Sequence, residues 1–221
     1  MSTTVYLWSR KVYRCILCIL VGQRQVTQIS APTRRRNSAA TRKAILASAR
    51  GAFARAGYDG VGVREIAAGA GVTAILVNRY FGSKEHLFAE VVAETMANPS
   101  ILTEKILKSP TPGEDIAAAL INLTKTGATP LDGFLIMLHS TSNKRAAEIG
   151  REQIQKYHQK AVTAALSGHL APQRAALVLS LIAGVQVMRQ MIGLPALAKA
   201  GPAALIKILA PLFQQLIEGE Q

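Results

Sequence analysis

The sequence has little of what builds several common classes of protein. It holds 221 residues with two cysteines, and aromatic residues make up 5% of the chain. Alternating runs of β-branched residues are also missing, whereas alanine and leucine are abundant. The composition therefore predicts an all-α protein, because strands are rich in β-branched and aromatic residues.

The two cysteines form a single C-x-x-C, Cys15 and Cys18. A structural zinc site needs four ligands, and neither a second pair nor a nearby histidine cluster is present, so we expect no metal. Two interpretations stay open: two small apolar residues in a short hydrophobic run, or a redox switch. The run from Cys15 to Val21 is shorter than the ~20 residues that cross a bilayer, and no A-x-A cleavage site follows it. We expect a cytoplasmic protein without a membrane partner.

Motifs of common enzymes are missing too. The four histidines, His86, His139, His158 and His169, form no H-E-x-x-H pair, and neither G-x-S-x-G nor a P-loop occurs. An enzyme of unknown reaction is therefore a minor alternative, and we expect no cofactor.

Acidic residues are scarce, 13 against 26 Lys and Arg, which gives a formal net charge of +13. Residues 1–43 carry nine basic residues and no acidic one, including the triplet Arg34, Arg35 and Arg36. We interpret residues 1–37 as a basic, flexible arm that either contacts phosphates and the minor groove or is a solvated extension. The uneven charge predicts a nucleic-acid partner.

Residues 63–81 predict two short helices joined by a tight turn. Ile66, Ala67 and Ala70 share one face of the first helix, and Gly71 stands where a helix end needs a residue that tolerates positive φ. Thr73 is a candidate N-cap for the second helix, and Val77 faces inward. The spacing predicts a helix-turn-helix.

The same stretch also contains a dinucleotide-binding pattern, G-x-G-x-x-A at Gly69, Gly71 and Ala74. That pattern requires a preceding strand in a βαβ unit. The preceding segment is helical and rich in alanine, so we reject this interpretation.

Further helices are predicted on both sides of this pair. An apolar stripe predicts a helix over about 38–56, ended by Gly57, and Ser83 is expected to cap another that follows Gly82. Residues 38–97 thus form a three-helix DNA-binding domain with a fourth helix at its end. Pro99, Pro110, Pro112 and Gly113 predict a connector, after which 98–221 form a second helical domain.

We predict five helices in the second domain, over about 114–127, 131–141, 144–167, 173–192 and 202–218. The last two carry broad apolar faces that a single chain leaves uncovered, and Pro211 is expected to kink the final helix. We expect 173–192 and 202–218 to pack against their copies as a four-helix homodimer interface.

Residues 41 to about 92 resemble the N-terminal domain of TetR/AcrR-type transcriptional regulators. The marks of this resemblance are Phe53, Gly57-Tyr58, Arg64-Glu65-Ile66-Ala67, Gly71-Val72, Tyr80-Phe81 and Lys84-Glu85. The resemblance implies a dimer that binds double-stranded DNA and a small-molecule effector bound by the C-terminal domain.

The candidate DNA-binding residues are Thr41, Arg42, Arg64, Thr73, Ala74, Leu76, Arg79, Tyr80 and Lys84. We expect Arg79 to meet guanine or phosphate, and Ala74 and Leu76 to meet thymine methyl groups. The resemblance places Thr41, Thr73, Tyr80 and Lys84 at the DNA backbone. For Tyr80 packing alone, and for Arg79 a solvated surface charge, are the alternatives.

The candidate effector-binding residues are Phe134, Met137, Leu138, His139, Tyr157, Gln186 and Met188. An effector cavity is mostly apolar with few polar groups, although each of these residues is also compatible with an ordinary core. We expect a repressor that binds a palindromic operator and is released by a small apolar effector, which changes the spacing of the two recognition helices. A sequence-nonspecific DNA-binding protein driven by the basic arm is the alternative.

Overall fold

The computed structural model describes residues 31–97, 101–125, 127–128 and 131–219, with side chains from residue 37 onward. Within these ranges the regular structure is helical and no strand occurs, which confirms the all-α prediction. Contacts divide the chain into two compact units, Met1–Ala40 and Thr41–Gln221, and every side-chain contact below lies in the second. The predictions for Cys15 and Cys18, and for most of the basic arm, lie outside the described residues.

Four helices make up the N-terminal part: α1 Ala31–Ala56, α2 Val63–Gly69, α3 Ala74–Phe81 and α4 Lys84–Met96. Their order and turns agree with the sequence prediction, except that α1 begins at Ala31 instead of near Ser38. Pro32 falls in the first turn of α1, where a missing N–H removes no intrahelical bond, so it does not delay the helix.

The C-terminal part begins with α5 Glu104–Leu107, α6 Pro112–Leu123 and α7 Asp132–Ser140. It continues with α8, formed by Lys144–Ile154, a π-helical turn Gln155–Gln159 and Lys160–Ala165. It ends with α9, formed by Ala171–Val185 and a π-helical turn Gln186–Met191, then α10 Pro195–Ala198 and α11 Pro202–Glu218.

The C-terminal part differs from the prediction at several helix ends. Pro112 was assigned to the connector but begins α6, because proline is well suited to the first helical position. The short helices α5 and α10 were not predicted. Pro211 lies inside α11, which runs on to Glu218.

The first core joins α1 to α4 through three aromatic rings. The Phe53 and Phe88 centroids lie 5.1 Å apart at an interplanar angle of 87°. Tyr58 meets Phe88 at 5.1 Å and 76°. Such edge-to-face pairs add about 0.5–1.5 kcal/mol beyond their buried area. Ile136 of α7 and Ile149 of α8 belong to the same core, so the N-terminal helices pack directly against the C-terminal part.

The second core lies mainly between α6, α9 and α11, with Phe213 fully buried at its centre. A glycine brings α6 and α11 close together. A Cβ added to Gly113 would lie 2.6 Å from the Ala210 carbonyl oxygen. Gly113 is therefore required by packing, and its backbone N–H donates to Gln214 Oε1 at 2.9 Å.

Two buried arginines fasten the ends of helices in this core. Arg174 donates from Nη1 to the Leu216 and Ile217 carbonyl oxygens, both at 3.0 Å, at the C-terminal end of α11. Arg189 donates from Nη1 to the Ile121 carbonyl at 2.7 Å and to Thr124 Oγ1 at 2.8 Å, at the end of α6. The last carbonyl groups of a helix lack intrahelical hydrogen-bond partners and carry partial negative charge. Each arginine therefore supplies both a hydrogen-bond donor and a positive charge at the end of a helix.

Helices α9 and α11 leave large apolar side chains in water. On α9, Leu177 is 54% and Met188 48% exposed, and Ile192 just beyond it is 67% exposed. On α11, Ile208 is 61% and Leu212 45% exposed. Contiguous exposed apolar surface of this kind usually marks an interaction site.

The segment Ala171–Met191 is long and apolar enough to cross a bilayer by length and composition. Its inner side, with Ala175 and Val178 fully buried, belongs to the second core. A core helix of a soluble domain passes the same test, so this segment is weak evidence for a membrane span.

Candidate nucleic-acid interface and internal cavity

The turn between α2 and α3 has the geometry that the sequence predicts. Gly71 adopts φ +66°, and its N–H donates to the Ala68 carbonyl at 3.1 Å. The Val72 N–H donates to the Ala67 carbonyl at 2.9 Å. These two bonds are the Schellman pattern, which ends a helix on a residue with positive φ. Thr73 then caps α3, because its Oγ1 accepts from the Leu76 N–H at 3.3 Å.

The inner faces of α2 and α3 are held by a small set of buried side chains. Ile66 is fully buried, and Ala67 and Val77 are each 2% exposed. Small Ala67 lets the two helices approach closely. Ser48 Oγ of α1 donates to the Ile66 carbonyl at 2.8 Å, which ties α2 to the first helix. The pair is therefore a rigid unit that presents the outer face of α3.

The outer face of α3 consists of Ile75, Asn78 and Arg79, all exposed. Ile75 is 81% exposed. The candidates Ala74 and Leu76 are half-buried, and Ala74 packs against the first core. Ile75 and Asn78 were missed in the sequence analysis. The helical period could have identified them, since residues 75, 78 and 79 lie opposite the buried residues 77 and 81 on a helix of 3.6 residues per turn.

The other candidate DNA-binding side chains fall into free and engaged groups. Arg64 on α2 is exposed. Arg42 is engaged twice, since its guanidinium pairs with Glu90 and lies 4.9 Å above the Phe81 ring centroid. Thr41 is half-buried beside it. Of the cations on this face, Arg64 and Arg79 are thus better placed than Arg42 to reach a ligand in solution.

The start of α4 combines a helix N-terminus with a lysine. Ser83 caps the helix, accepting from the His86 N–H at 3.2 Å. Lys84 Nζ lies 4.3 Å above the Tyr58 ring centroid, and burial lowers the pKa of this lysine. Tyr80 is half-buried, with its ring centroid 6.4 Å from that of Phe81. Unpaired N–H groups and a cation at a helix start favour an anion such as phosphate.

A cavity of about 520 Å³ lies between α1, α4, α7, α8 and α9. Its walls are mainly apolar, and its size falls within the roughly 300–1,000 Å³ of typical ligand sites. Arg50 and Asp132 both line it and pair with each other, Nε to Oδ2, at 2.7 Å. A second depression is lined by residues of α8 alone, so no facing helix encloses it.

The cavity contains four of the seven candidate effector-binding residues: Phe134, Met137, Leu138 and Gln186. The other three do not line it. His139 Nδ1 lies 2.9 Å from the Ala54 carbonyl oxygen, and Tyr157 packs on the first core. Met188 is 48% exposed, on the uncovered side of α9.

Two polar residues on the cavity wall come from the π-helical turns. His158 belongs to the turn in α8 and Gln186 to the turn in α9. Burial lowers the pKa of His158, so its ring is neutral at pH 7, and its Nδ1 is buried without a hydrogen-bond partner among the described residues. The cavity therefore offers neutral polar groups beside three charged residues, of which Arg50 and Asp132 pair with each other and Glu94 adds an acidic side chain. Nowhere in the described ranges do three or more potential metal ligands lie together.

Helix α7 contacts the N-terminal helices on one side and lines the cavity on the other. Ser140 Oγ accepts from the Tyr58 N–H at 3.0 Å, and the next residues add a bond from Asn143 Nδ2 to Asp59 Oδ1 at 2.8 Å. Gly57, at φ +67°, leaves space that the His139 carbonyl occupies. Helix α7 therefore contacts both the cavity and the turn that follows α1.

Two family models match the chain. Residues 45–91 match the bacterial regulatory proteins of the tetR family, and residues 111–217 match the tetracyclin repressor-like C-terminal domain. The chain is a member of the TetR family of transcriptional regulators. The helix-turn-helix of α2 and α3 lies in the first matched segment, and most of the cavity wall lies in the second. None of the curated proteins compared with it matches.

Solved structures agree with this family assignment. A TetR-family regulator from Streptomyces coelicolor A3 is 23% identical and has a TM-score of 0.52, covering 81% of this chain and 95% of its own. NalD of Pseudomonas aeruginosa, the secondary repressor of the MexAB-OprM multidrug efflux pump, is 21% identical with a TM-score of 0.59 and coverage of 83% and 98%. FadR of Bacillus subtilis, in complex with stearoyl-CoA, is 19% identical with a TM-score of 0.58 and coverage of 81% and 99%. At these identities the likeness concerns the fold.

Proposed function

We propose that this TetR-family protein is a repressor that binds a palindromic operator as a homodimer and is released by a small, mostly apolar effector. The observation that carries the DNA-binding part is the outer face of α3, which is exposed above a rigid, capped helix-turn-helix. We assign residues 38–97 to DNA binding, 98–221 to effector binding and dimerisation, and 1–37 to a basic arm. The proposed site of action is the cytoplasm, and no enzyme activity is proposed.

Dimerisation supplies the two-fold symmetry that a palindrome requires. We propose that the apolar faces of α9 and α11 form the interface, because five large side chains there lie in water in the single chain. Two recognition helices enter successive major grooves when they lie about 34–36 Å apart. The dimer therefore sets half-site spacing, and a change of spacing releases DNA.

Residue roles at the DNA divide into base reading and phosphate binding. We propose that Arg79 contacts a base edge, whereas Lys84 and the start of α4 bind a phosphate. Alanine substitutions at Lys84 and Arg79 should then have different effects on DNA binding. Lys84→Ala weakens binding to operator and random DNA alike and lowers the salt slope, since one phosphate contact is lost. Arg79→Ala changes which sequence is preferred, and Lys160→Ala on α8 is a control that alters neither.

Fluorescence anisotropy with duplexes selected from the source genome tests this assignment. The result expected is a selected palindrome bound at least ~1,000-fold more tightly than random DNA. A ratio near one, lost on deletion of residues 1–37, supports instead a sequence-nonspecific protein driven by its basic arm. Equal effects of both substitutions on all sequences contradict the division of roles.

The effector is proposed to occupy the cavity beside α7. Its chemistry follows from the walls: mainly apolar contacts, hydrogen bonds with neutral His158 and Gln186, the paired Arg50 and Asp132, and the acidic side chain of Glu94. FadR, bound to stearoyl-CoA, is a fold neighbour that accepts an acyl ligand. We propose that the effector moves α7, which contacts the turn at Gly57 and Tyr58, so effector and DNA oppose each other through one conformational equilibrium.

A cavity-filling substitution tests the effector site. Ala183 lines the cavity, so Ala183→Phe fills part of it, while Ala161→Phe adds the same ring at an exposed position of α8. A panel of long-chain fatty acids, acyl-CoAs and neutral aromatic compounds is screened for thermal stabilisation and DNA release. We expect active compounds to work on the parent and on Ala161→Phe, and to fail on Ala183→Phe, which still binds the operator. Equal responses of all three proteins place the effector elsewhere.

A further inference from the structure

Ile75 is the most exposed of the large apolar side chains in the described ranges, at 81%. It is the second residue of α3 and belongs to neither hydrophobic core. The other strongly exposed aliphatic side chains cluster on or beside α9 and α11, where a partner copy is proposed to cover them. Ile75 is apart from that surface and has only the outer face of α3 around it.

The neighbours of Ile75 on that face are polar. Asn78 and Arg79, three and four residues further along, are both exposed and have hydrogen-bonding groups for base edges. Ile75 has none. An apolar side chain set against a polar base edge would leave that edge unpaired and desolvated. The chemistry of the face therefore requires an apolar partner at this one position.

We propose that Ile75 recognises the C5-methyl group of a thymine, and that each operator half-site contains a thymine at one fixed position because of it. This inference rests on the proposed operator binding and names a specificity determinant within it. Thymine is the only unmodified base with a methyl group in the major groove. Because Ile has one strongly preferred χ1 rotamer in a helix, its two γ carbons are held in place before binding.

The sequence predicted this methyl contact for Ala74 and Leu76 instead of Ile75. Leu76 is half-buried, so less of its side chain is open to a ligand. Ala74 is half-buried too and has a single methyl group. Ile75 is the most exposed of these three residues, and it therefore takes the contact that the sequence predicted for its neighbours.

Deoxyuridine tests the proposal, since it differs from thymidine only by the missing methyl group. Each thymine of the selected operator is replaced singly by deoxyuridine, and binding is measured by anisotropy at fixed salt. We expect one replacement per half-site to weaken binding by the parent about fourfold, the value of one buried methyl-sized group. Other replacements should have smaller effects.

Ile75→Ala completes a double-mutant cycle with this duplex. We expect Ile75→Ala to bind the thymine operator about fourfold more weakly per half-site, and to lose its sensitivity to deoxyuridine at that position. Asn78→Ala is the matched control, and should keep the full sensitivity. The high exposure of Ile75 means that the substitution leaves folding intact.

Two outcomes overturn the inference. Specific binding by the parent that is indifferent to deoxyuridine at every thymine rejects methyl recognition while the repressor function stands. Full sensitivity retained by Ile75→Ala assigns the methyl contact to another residue. Binding without any sequence preference is a separate result, which rejects the proposed function and this inference with it.

Discussion

Ile208→Ala on α11 tests whether the exposed apolar surface is a dimer interface. The substitution removes three carbon atoms from a side chain that is 61% exposed in the single chain. At about 0.8 kcal/mol per buried carbon, and scaled by the exposed fraction, the loss is about 1.5 kcal/mol per subunit. A two-fold interface contains the change twice, so the dimer loses about 3 kcal/mol.

This loss corresponds to a dimer dissociation constant raised roughly 100-fold. Sedimentation velocity over a dilution series measures it directly. Operator affinity should fall in parallel at low protein concentration, because a single subunit contacts one half-site only. Stability of the subunit should change little, since the removed atoms lie at the surface.

The control for Ile208→Ala is Ile75→Ala, the same chemical change at an even more exposed position on α3. It should leave the dissociation constant unchanged while altering DNA binding. If Ile208→Ala has no effect on association, or both variants weaken it equally, the assignment of the α9 and α11 surface to the dimer is refuted. A parent that remains monomeric at all concentrations has the same consequence.

Three further predictions concern stability. Arg174→Met should lower the free energy of unfolding by about 2–4 kcal/mol, because the carbonyl oxygens of Ser167, His169, Leu216 and Ile217 lose a charged donor. Arg151→Met at an exposed site should change it by less than ~0.5 kcal/mol. Thermal denaturation measures both, and equal effects contradict the role of Arg174. Gly57→Ala should lower the free energy of unfolding by about 1–3 kcal/mol, since alanine is strained at the positive φ of this residue and its Cβ would overlap α7. Gly62→Ala should change it little, because Gly62 has φ −98° and open space around it. Burial lowers the pKa of His158 in the folded chain, so the unfolded chain binds the extra proton and stability decreases as the pH falls below about 6.5. His158→Phe should flatten that decrease in denaturant titrations, and an unchanged slope disproves the assignment to this histidine.

The helix-turn-helix was predictable because its determinants are local. Gly71 has the positive φ expected of it, and Thr73 caps α3 as predicted. Both depend on residues within one turn of each other. Pro112 shows the limit of that logic, because proline fits both a connector and the first position of a helix, and only the packing of Gly113 on α11 decides between them.

The cavity was less accessible to sequence reasoning, since its walls come from five helices distant along the chain. Phe134, Met137, Leu138 and Gln186 were placed on it by their apolar or polar character within the C-terminal domain. His139 and Tyr157 have the same character but face the N-terminal helices. Only tertiary packing distinguishes these two groups. The DNA-binding role of the outer face of α3 stays a prediction, and so does the effector.

The π-helical turns Gln155–Gln159 and Gln186–Met191 each hold one residue more than an α-helical turn accommodates. Because the extra residue is taken up within the turn, deleting one residue would restore a regular helix and leave the flanking α-helical segments facing as before. The change would be confined to the turn itself, where His158 or Gln186 would shift on the cavity wall. Within this architecture, we therefore expect an inserted or deleted residue at either turn to reshape the cavity wall, and the proposed effector preference with it, while the helices on both sides stay in place.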